Sequence, residues 1–196
     1  DRQFMEENIL LADSTVFDVF SLNFVRGNPE IAFQKAYSAI LTEAAARKYF
    51  GGEDPIGQTI SRNNEHDFEV TGIVEALPAN AHFHFDVLFS LASTRDRYSR
   101  EAFESLGAQW LYTYVLLERP TPASVLEEQI NTLMAQHIPP DLPVEVHLAV
   151  QPLTQIHLRS QIENELEPNG NLTYLYIFGL VAGFILLIAC INFMNL

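Results

Sequence analysis

The chain has a single cysteine in 196 residues, Cys190, so no disulfide can form within it. That excludes a small domain stapled by cross-links, though not an oxidising compartment. Basic residues are also scarce: 11 Lys+Arg stand against 25 Asp+Glu, a formal net charge of −14. A nucleic-acid partner needs a basic face, so that class of function is excluded, and anionic headgroups should repel the chain as well. The acids are scattered rather than gathered in a tail. Nucleophile and metalloprotease signatures of the G-x-S-x-G, S-x-x-K and H-E-x-x-H kinds are missing. The paired glycines Gly51-Gly52 lack the rest of G-x-x-x-x-G-K-[ST], so the chain cannot bind ATP through a phosphate loop. Finally, no charged side chain occurs from Leu172 to Leu196.

That last absence is the most informative. The run LTYLYIFGLVAGFILLIACINFMNL is apolar on every face, and its first 20 residues, Leu172 to Ile191, would cross about 30 Å as a helix. A secretory signal would lie at the other end of the chain behind a basic start, and a soluble core helix would keep a polar stripe. A transmembrane helix is therefore expected. No Lys or Arg follows it, and Asp1-Arg2-Gln3 is no initiator, as expected of a piece of a longer membrane protein. Upstream of the run, Glu163, Glu165 and Glu167 outnumber Arg159, a flank that favours the extracytoplasmic side. Tyr174 and Tyr176 fall where amphipathic rings prefer the headgroup level. Gly179 and Gly183 form a G-x-x-x-G face suited to close helix packing.

About 170 residues remain outside the membrane, enough for one sizeable core or two small ones. Residues 8–24 read as one or two strands broken near Asp13-Ser14, and Arg26-Gly27-Asn28-Pro29 as a turn. Ser38 to Thr42 is a short strand; Thr42 then caps a helix from Glu43 to Phe50, which Gly51 ends. A further strand is expected at Gln58 to Ser61. Residues 68–76 alternate, with Phe68, Val70, Gly72 and Val74 on one face. Residues 82–91 alternate again, with Phe83, Phe85, Val87, Phe89 and Leu91 opposite His82, His84, Asp86, Leu88 and Ser90. With Leu77-Pro78-Ala79-Asn80 between them, the two predict a hairpin. Trp110 to Leu117 reads as a central strand. Thr121 caps a helix whose first turn holds Pro122, and Pro139-Pro140 ends it. Val144 to Val150 reads as a strand, completing a strand–helix–strand unit over 110–150. Residues 161–171 form a hinge around Pro168-Asn169-Gly170-Asn171. The fold class is α+β, with more strand than helix.

His82, His84 and Asp86 share one strand face and are the only cluster that resembles a metal site. They lack a further ligand from elsewhere in the chain, so a solvated or packing role is the stronger reading and no metal, cofactor or catalytic residue is assigned. The strand-period aromatics Phe17, Phe20, Phe24, Phe83, Phe85, Phe89, Tyr112 and Tyr114 read as core rather than as a ligand pocket.

Several stretches together resemble the MacB-like periplasmic core domain of FtsX-type ABC transporter permeases, in the stand-alone form common in Bacteroidetes-like bacteria. They are VFDVFSLNFVRGNPE (Val16 to Glu30), AILTEAAARKYFGGEDPIGQTI (Ala39 to Ile60), FEVTGIVEALPANAHFHFDVLFS (Phe68 to Ser90), QPLTQIHLRS (Gln151 to Ser160) and the segment from Glu165 to Leu196. Residues 98–145 match only in pattern. The resemblance implies a two-lobed periplasmic domain between the first two transmembrane helices of a permease in the bacterial inner membrane. A porter-like β-α-β lobe would combine residues 1–30 and 106–160. An inserted, mainly-β lobe would span 31–105, followed by the hinge at 161–171 and the start of the second transmembrane helix at 172–196. It also implies that ATP is bound by a separate cytoplasmic ABC ATPase, that two permease copies pair in the bilayer, and that a periplasmic adaptor or lipoprotein is a further partner. The work implied is export or envelope mechanotransmission, not catalysis. Two other readings of the residues stay open: a membrane-tethered extracytoplasmic sensor or ligand-binding module, and a tethered hydrolase.

Gly183→Arg would place a charge near the bilayer centre, at a cost of about 2.5–3.5 kcal/mol on insertion scales. We expect membrane insertion of Leu172–Leu196 to fall accordingly in a translocon insertion assay, while a chain ending at Glu167 stays soluble and folded.

Overall fold

The computed structural model describes residues 4–95, 111–138, 147–160, 162 and 165–195. They fall into two compact units, Asp1–Pro120 and Thr121–Leu196.

The first unit is built on a six-stranded mixed sheet in the order β1-β6-β3-β5-β2, with β4 also paired to β5. The strands are β1 (Ile9–Ala12), β2 (Phe24–Gly27), β3 (Ser38–Thr42), β4 (Thr59–Arg62), β5 (His66–Val74) and β6 (Val87–Ser90). The short helices α1 (Val16–Val19) and α2 (Pro29–Ala32) and the longer α3 (Glu43–Phe50) complete it, and a 3₁₀ turn at Leu91–Thr94 follows β6. All five residues of β3 and all four of β6 are buried. Such strands cannot alternate in polarity, because both of their faces are covered.

The expected β3–α3 step is present in detail. The Thr42 side chain accepts from Ala45 N–H at 3.2 Å, and Gly51 ends the helix at φ 66°. β4 appears at the expected place and turns back into β5 through Asn63 and Asn64, both at positive φ (55° and 56°), with Glu65 N–H donating to Arg62 C=O. Two consecutive left-handed residues are the signature of a tight I′ hairpin.

Three expectations are corrected. First, residues 68–76 and 82–91 are not a hairpin. β3 lies between them, parallel to β5 and antiparallel to β6. β6 is only four residues long, because residues 82–86 make no ladder, although Phe83 and Phe85 are buried. Second, the alternation in β5 slips. Ala39 pairs with Val70 but Ile40 with Gly72, so Thr71 is an extra residue in the ladder. Beyond this bulge Ile73, not Gly72, joins Phe68 and Val70 in the cluster with Ala45, Ala46, Val87 and Phe89. The opposite face carries Ile40, whose side chain meets Gly72 together with the Phe24 ring. A bulge inserts one residue and thereby reverses the side-chain parity that follows it. Third, residues 16–19 form a helical turn rather than a strand. Asp13 accepts from Thr15 N–H and Oγ1 there, and Phe17 packs on Phe24 and Phe33. The Arg26-Gly27-Asn28-Pro29 cluster divides: Arg26 and Gly27 end β2, and Asn28 caps α2 by accepting from Glu30 N–H. β1 and β2 hydrogen-bond into the same sheet as β3–β6.

The chain before β1 is fastened to α3. Lys48 Nζ reaches Glu6 at 2.5 Å, and the Phe4 ring lies 5.0 Å from that of Tyr49. The Glu6 side chain is only 11 % exposed. Burial raises its pKa, but hydrogen bonds from Lys48 and Tyr49 and the Lys48 charge outweigh this, so the carboxyl is held below its ordinary value. Burial, reinforced by the hydrogen bond to Glu6, pushes the Tyr49 phenol far above its own.

The expected strand at 110–117 is not formed at the described positions: residues 111–117 pair with no other strand, with Val115 and Leu116 exposed. Trp110 lies outside the described residues. Tyr114 is anchored, its hydroxyl 2.8 Å from His82 Nε2 and its ring 5.1 Å from that of Phe20.

The second unit contains α4 (Ala123–His137), α5 (Leu153–Arg159) and α6 (Leu172–Met194). α4 starts one residue later than expected; the cap position falls on Pro122, whose carbonyl accepts from Val125 and Leu126, rather than on Thr121. Of the expected strand at 144–150, residues 144–146 lie outside the described residues, and 147–150 are not a strand. Their backbone is held by α4 side chains instead. Asn131 both donates to Leu148 C=O at 2.7 Å and accepts from Leu148 N–H at 2.8 Å, while Glu127 reaches His147 at 3.1 Å.

Phe68→Ala should destabilise the chain by about 3–5 kcal/mol in urea unfolding, as for a large ring removed from a packed core. Gly27→Ala should cost several kcal/mol in the same assay, because Gly27 has φ 92° and an added Cβ would lie 2.5 Å from Thr71 O. Glu6 adds a pH dependence. Its folded pKa is lowered, so its stabilisation is present above its unfolded value near 4.5 and is lost as pH falls through the folded pKa. The stability gap between the native chain and Glu6→Gln should therefore narrow below about pH 4.5, measured by urea midpoints across the pH series.

Candidate functional site

The three clustered polar residues of the sequence go separate ways. His82 Nε2 bonds the Tyr114 hydroxyl at 2.8 Å, His84 Nε2 meets Pro78 C=O at 3.0 Å, and Asp86 accepts from Asn8 Nδ2 at 3.1 Å. The Asp86 and Val87 N–H groups also donate to Asn8 C=O. These residues fasten the loop before β6 to its neighbours. Among the described residues no group of three or more His, Cys, Asp or Glu is placed to hold a metal ion.

The feature with the clearest mechanical character is the start of α6. This helix has 23 residues, spans about 34 Å at about 1.5 Å per residue, and buries none of its side chains. It is long and apolar enough to cross a membrane. Asn171 caps it, its side chain accepting from Thr173 N–H at 2.8 Å. One residue earlier, Gly170 N–H donates to His157 C=O at 2.7 Å. The carbonyl belongs to the last turn of α5, so the loop between the helices is closed at its base and α5 is tied to the first residues of α6. Ser160 Oγ also donates to the Glu165 carboxylate, cross-bracing the loop from within. A Cβ at Gly170 would make tight contacts, 3.1 Å from Leu158 Cδ2 and 3.3 Å from His157 Nε2, to which these side-chain ends would have to yield. The expected hinge at 161–171 is therefore a hydrogen-bonded joint at its described residues. Its outer face is an open, shallow depression lined by Ser160, Glu165, Glu167 and Pro168, with no enclosed cavity for a ligand.

On α6, Tyr174 and Tyr176 are exposed near the first turn, and Tyr174 stacks loosely on Phe178 with ring centres 6.5 Å apart. Gly179 and Gly183 have open space where a side chain would be, four residues apart and hence on one face. Sequence reasoning placed these residues on the helix but missed the joint. Its signal, a Gly preceding an Asn cap, was legible; its partner carbonyl thirteen residues earlier was not.

The MacB-like periplasmic core domain family matches residues 2–133, more than half of the chain. The chain belongs to that family. Among solved structures, it is similar to a domain assigned to a permease protein from Porphyromonas gingivalis, with 22% identity and a TM-score of 0.57 over 81% of this chain and 67% of that one. That likeness shows a shared fold. Weaker similarity extends to the periplasmic region of MacB from Actinobacillus actinomycetemcomitans (17% identity, TM-score 0.43, 64% of this chain and 54% of that one). It extends also to the extracellular domain of the noncanonic ABC-type transporter YknZ from Gram-positive bacteria (19%, TM-score 0.36, 48% and 50%). The chain spans two thirds of the first of these structures and about half of the other two. No curated protein matches it.

Zinc added to the chain should give no binding heat by calorimetry, and His82→Ala with His84→Ala should leave that result unchanged. A stoichiometric heat that the double variant abolishes would restore the metal reading.

Proposed function

We propose that the chain is the periplasmic domain of an ABC transporter permease subunit, which couples ATP hydrolysis by a separate cytoplasmic ATPase to export or to mechanical action in the envelope. The observation that carries this reading is the family match over residues 2–133, in a chain that also holds a membrane-length helix at Leu172–Met194. A hydrogen-bonded sheet and a helix fastened to its own preceding segment support that reading.

In this reading α6 is the second transmembrane helix of an inner-membrane permease, with the sheet in the periplasm and Tyr174 and Tyr176 at the outer headgroup level. Gly179 and Gly183 would allow close approach of a neighbouring helix, from the same permease or from the second copy of a dimer. The ATP would be bound by the ATPase alone, and a periplasmic adaptor or lipoprotein would receive the motion. In this reading the porter-like lobe combines residues 1–30 with 106–160, and the inserted mainly-β lobe spans 31–105.

The test is a distance measurement on the full-length permease reconstituted with its ATPase. With a spin label at Thr94 of each copy in a Cys190→Ser background, ATP bound to a hydrolysis-deficient ATPase should shift the label–label distance distribution. An unchanged distribution, with ATP binding verified, would overturn the coupling. Gly170→Pro, which removes the N–H that donates to His157 C=O, should reduce the shift while leaving membrane insertion and ATPase binding intact.

A further inference from the structure

α5 is an odd element on physical grounds. At seven residues it is far below the length at which a helix persists alone in water, about 12–15 residues, and it buries none of its side chains. Yet it exposes apolar groups: Leu153 is 44 % exposed, Leu158 40 %, and Ile162, just beyond the helix, 65 %. What it does have is a fixed position. The 2.7 Å bond from Gly170 N–H to His157 C=O holds its last turn beside the residue that precedes the α6 cap. From Gly170 to Tyr174 the chain advances about 6 Å along a helix axis. Tyr174 and Tyr176 mark the headgroup level in a crossing helix. The last turn of α5 is therefore held within about one helical turn of that level.

We infer that the last turn of α5 and Ile162 form a foot that lies in the interfacial layer of the bilayer, with Leu158 and Ile162 inserted among the lipids. The inference rests on α6 crossing the membrane. Exposed apolar groups tethered close to headgroup depth are covered by lipid without any new partner. Short amphipathic elements bind interfaces in this way when buried apolar area, not length, supplies the free energy. Charge selects the lipid. His157 and Arg159 lie on the helix, but Glu165 and Glu167 stand in the same joint, and Glu165 is already engaged with Ser160. This mixed set gives no net cationic patch, so the foot is suited to zwitterionic rather than anionic headgroups. Such a foot would stop the joint from rotating freely and would pass a tilt of α6 directly to the segment before it.

The test uses the chain reconstituted into phosphatidylcholine–phosphatidylethanolamine vesicles. Single cysteines replace Leu158, Ile162, Leu180 or Val25 in a Cys190→Ser background, and each is spin-labelled. Power saturation then compares access of oxygen, which partitions into lipid, with access of a water-soluble nickel chelate. Leu180 should report hydrocarbon and Val25 water, while Leu158 and Ile162 should be intermediate, with nickel access several-fold below that of Val25. If Leu180 is in lipid but Leu158 and Ile162 match Val25, the foot is wrong and the membrane helix stands. If both foot labels are immobile and closed to either reagent, protein covers them and the foot is again wrong. If Leu180 itself is aqueous, the membrane reading fails and takes the foot with it. Adding phosphatidylglycerol should leave the depth unchanged; a marked deepening would overturn the zwitterionic assignment.

Discussion

Strand β3 is the constraint on which the first unit depends. Its five residues, Ser38 to Thr42, are all buried, and it is paired on both edges, parallel to β5 and antiparallel to β6. A strand in this position can contribute no polar side chain without a partner, and the two that it has are used. Ser38 Oγ donates to Lys35 C=O, and Thr42 caps α3. Its pairing with β5 carries the bulge at Thr71, whose hydroxyl donates to Ala32 C=O at 2.8 Å. The bulge in turn leaves room only for glycine where β2 crosses, at Gly27 and Gly72. Strand parity, the choice of glycine and the docking of α2 are therefore one coupled problem, solved at a single position in the ladder.

The second unit follows a different economy of contacts. Its helices bury no residue completely, and its order comes from polar side chains that grip backbone. Asn131 holds Leu148 from both sides, and the Gly170–His157 bond closes the loop before α6. Each such bond contributes only about 0.5–1.5 kcal/mol net.

Much of this was legible in local sequence. Thr42, Glu43 and Gly51 bound α3 because capping chemistry is decided within four or five residues. The α6 span was legible because lipid tolerates no charge over about 20 residues. The β5–β6 hairpin was misread for the opposite reason. Two alternating runs separated by Leu77-Pro78-Ala79-Asn80 look like neighbours, and nothing within either run reveals that residues 38–42 lie between them. The slip at Thr71 was hidden because a one-residue insertion leaves the composition of a strand untouched while reversing its faces. Residues 110–117 were read as a central strand from composition alone, but apolar composition does not supply a ladder partner, and the described residues 111–117 have none. At the candidate site, the tyrosines and glycines of α6 could be named from the sequence, whereas the joint that ties them to α5 could not.

By itself, the sequence determined a mixed α and β chain with an uncharged, membrane-length helix at one end, and the motifs that place it in its family. Those are matters of composition and short-range spacing, which do not depend on what the rest of the chain does. Only the tertiary structure decided the strand order, the bulge that reverses β5, the separate fates of His82, His84 and Asp86, and the hydrogen bond that makes a joint of the hinge. Each of these depends on groups far apart in sequence being brought within about 3 Å, and hydrogen-bond geometry at that range is satisfied or lost by the fold as a whole.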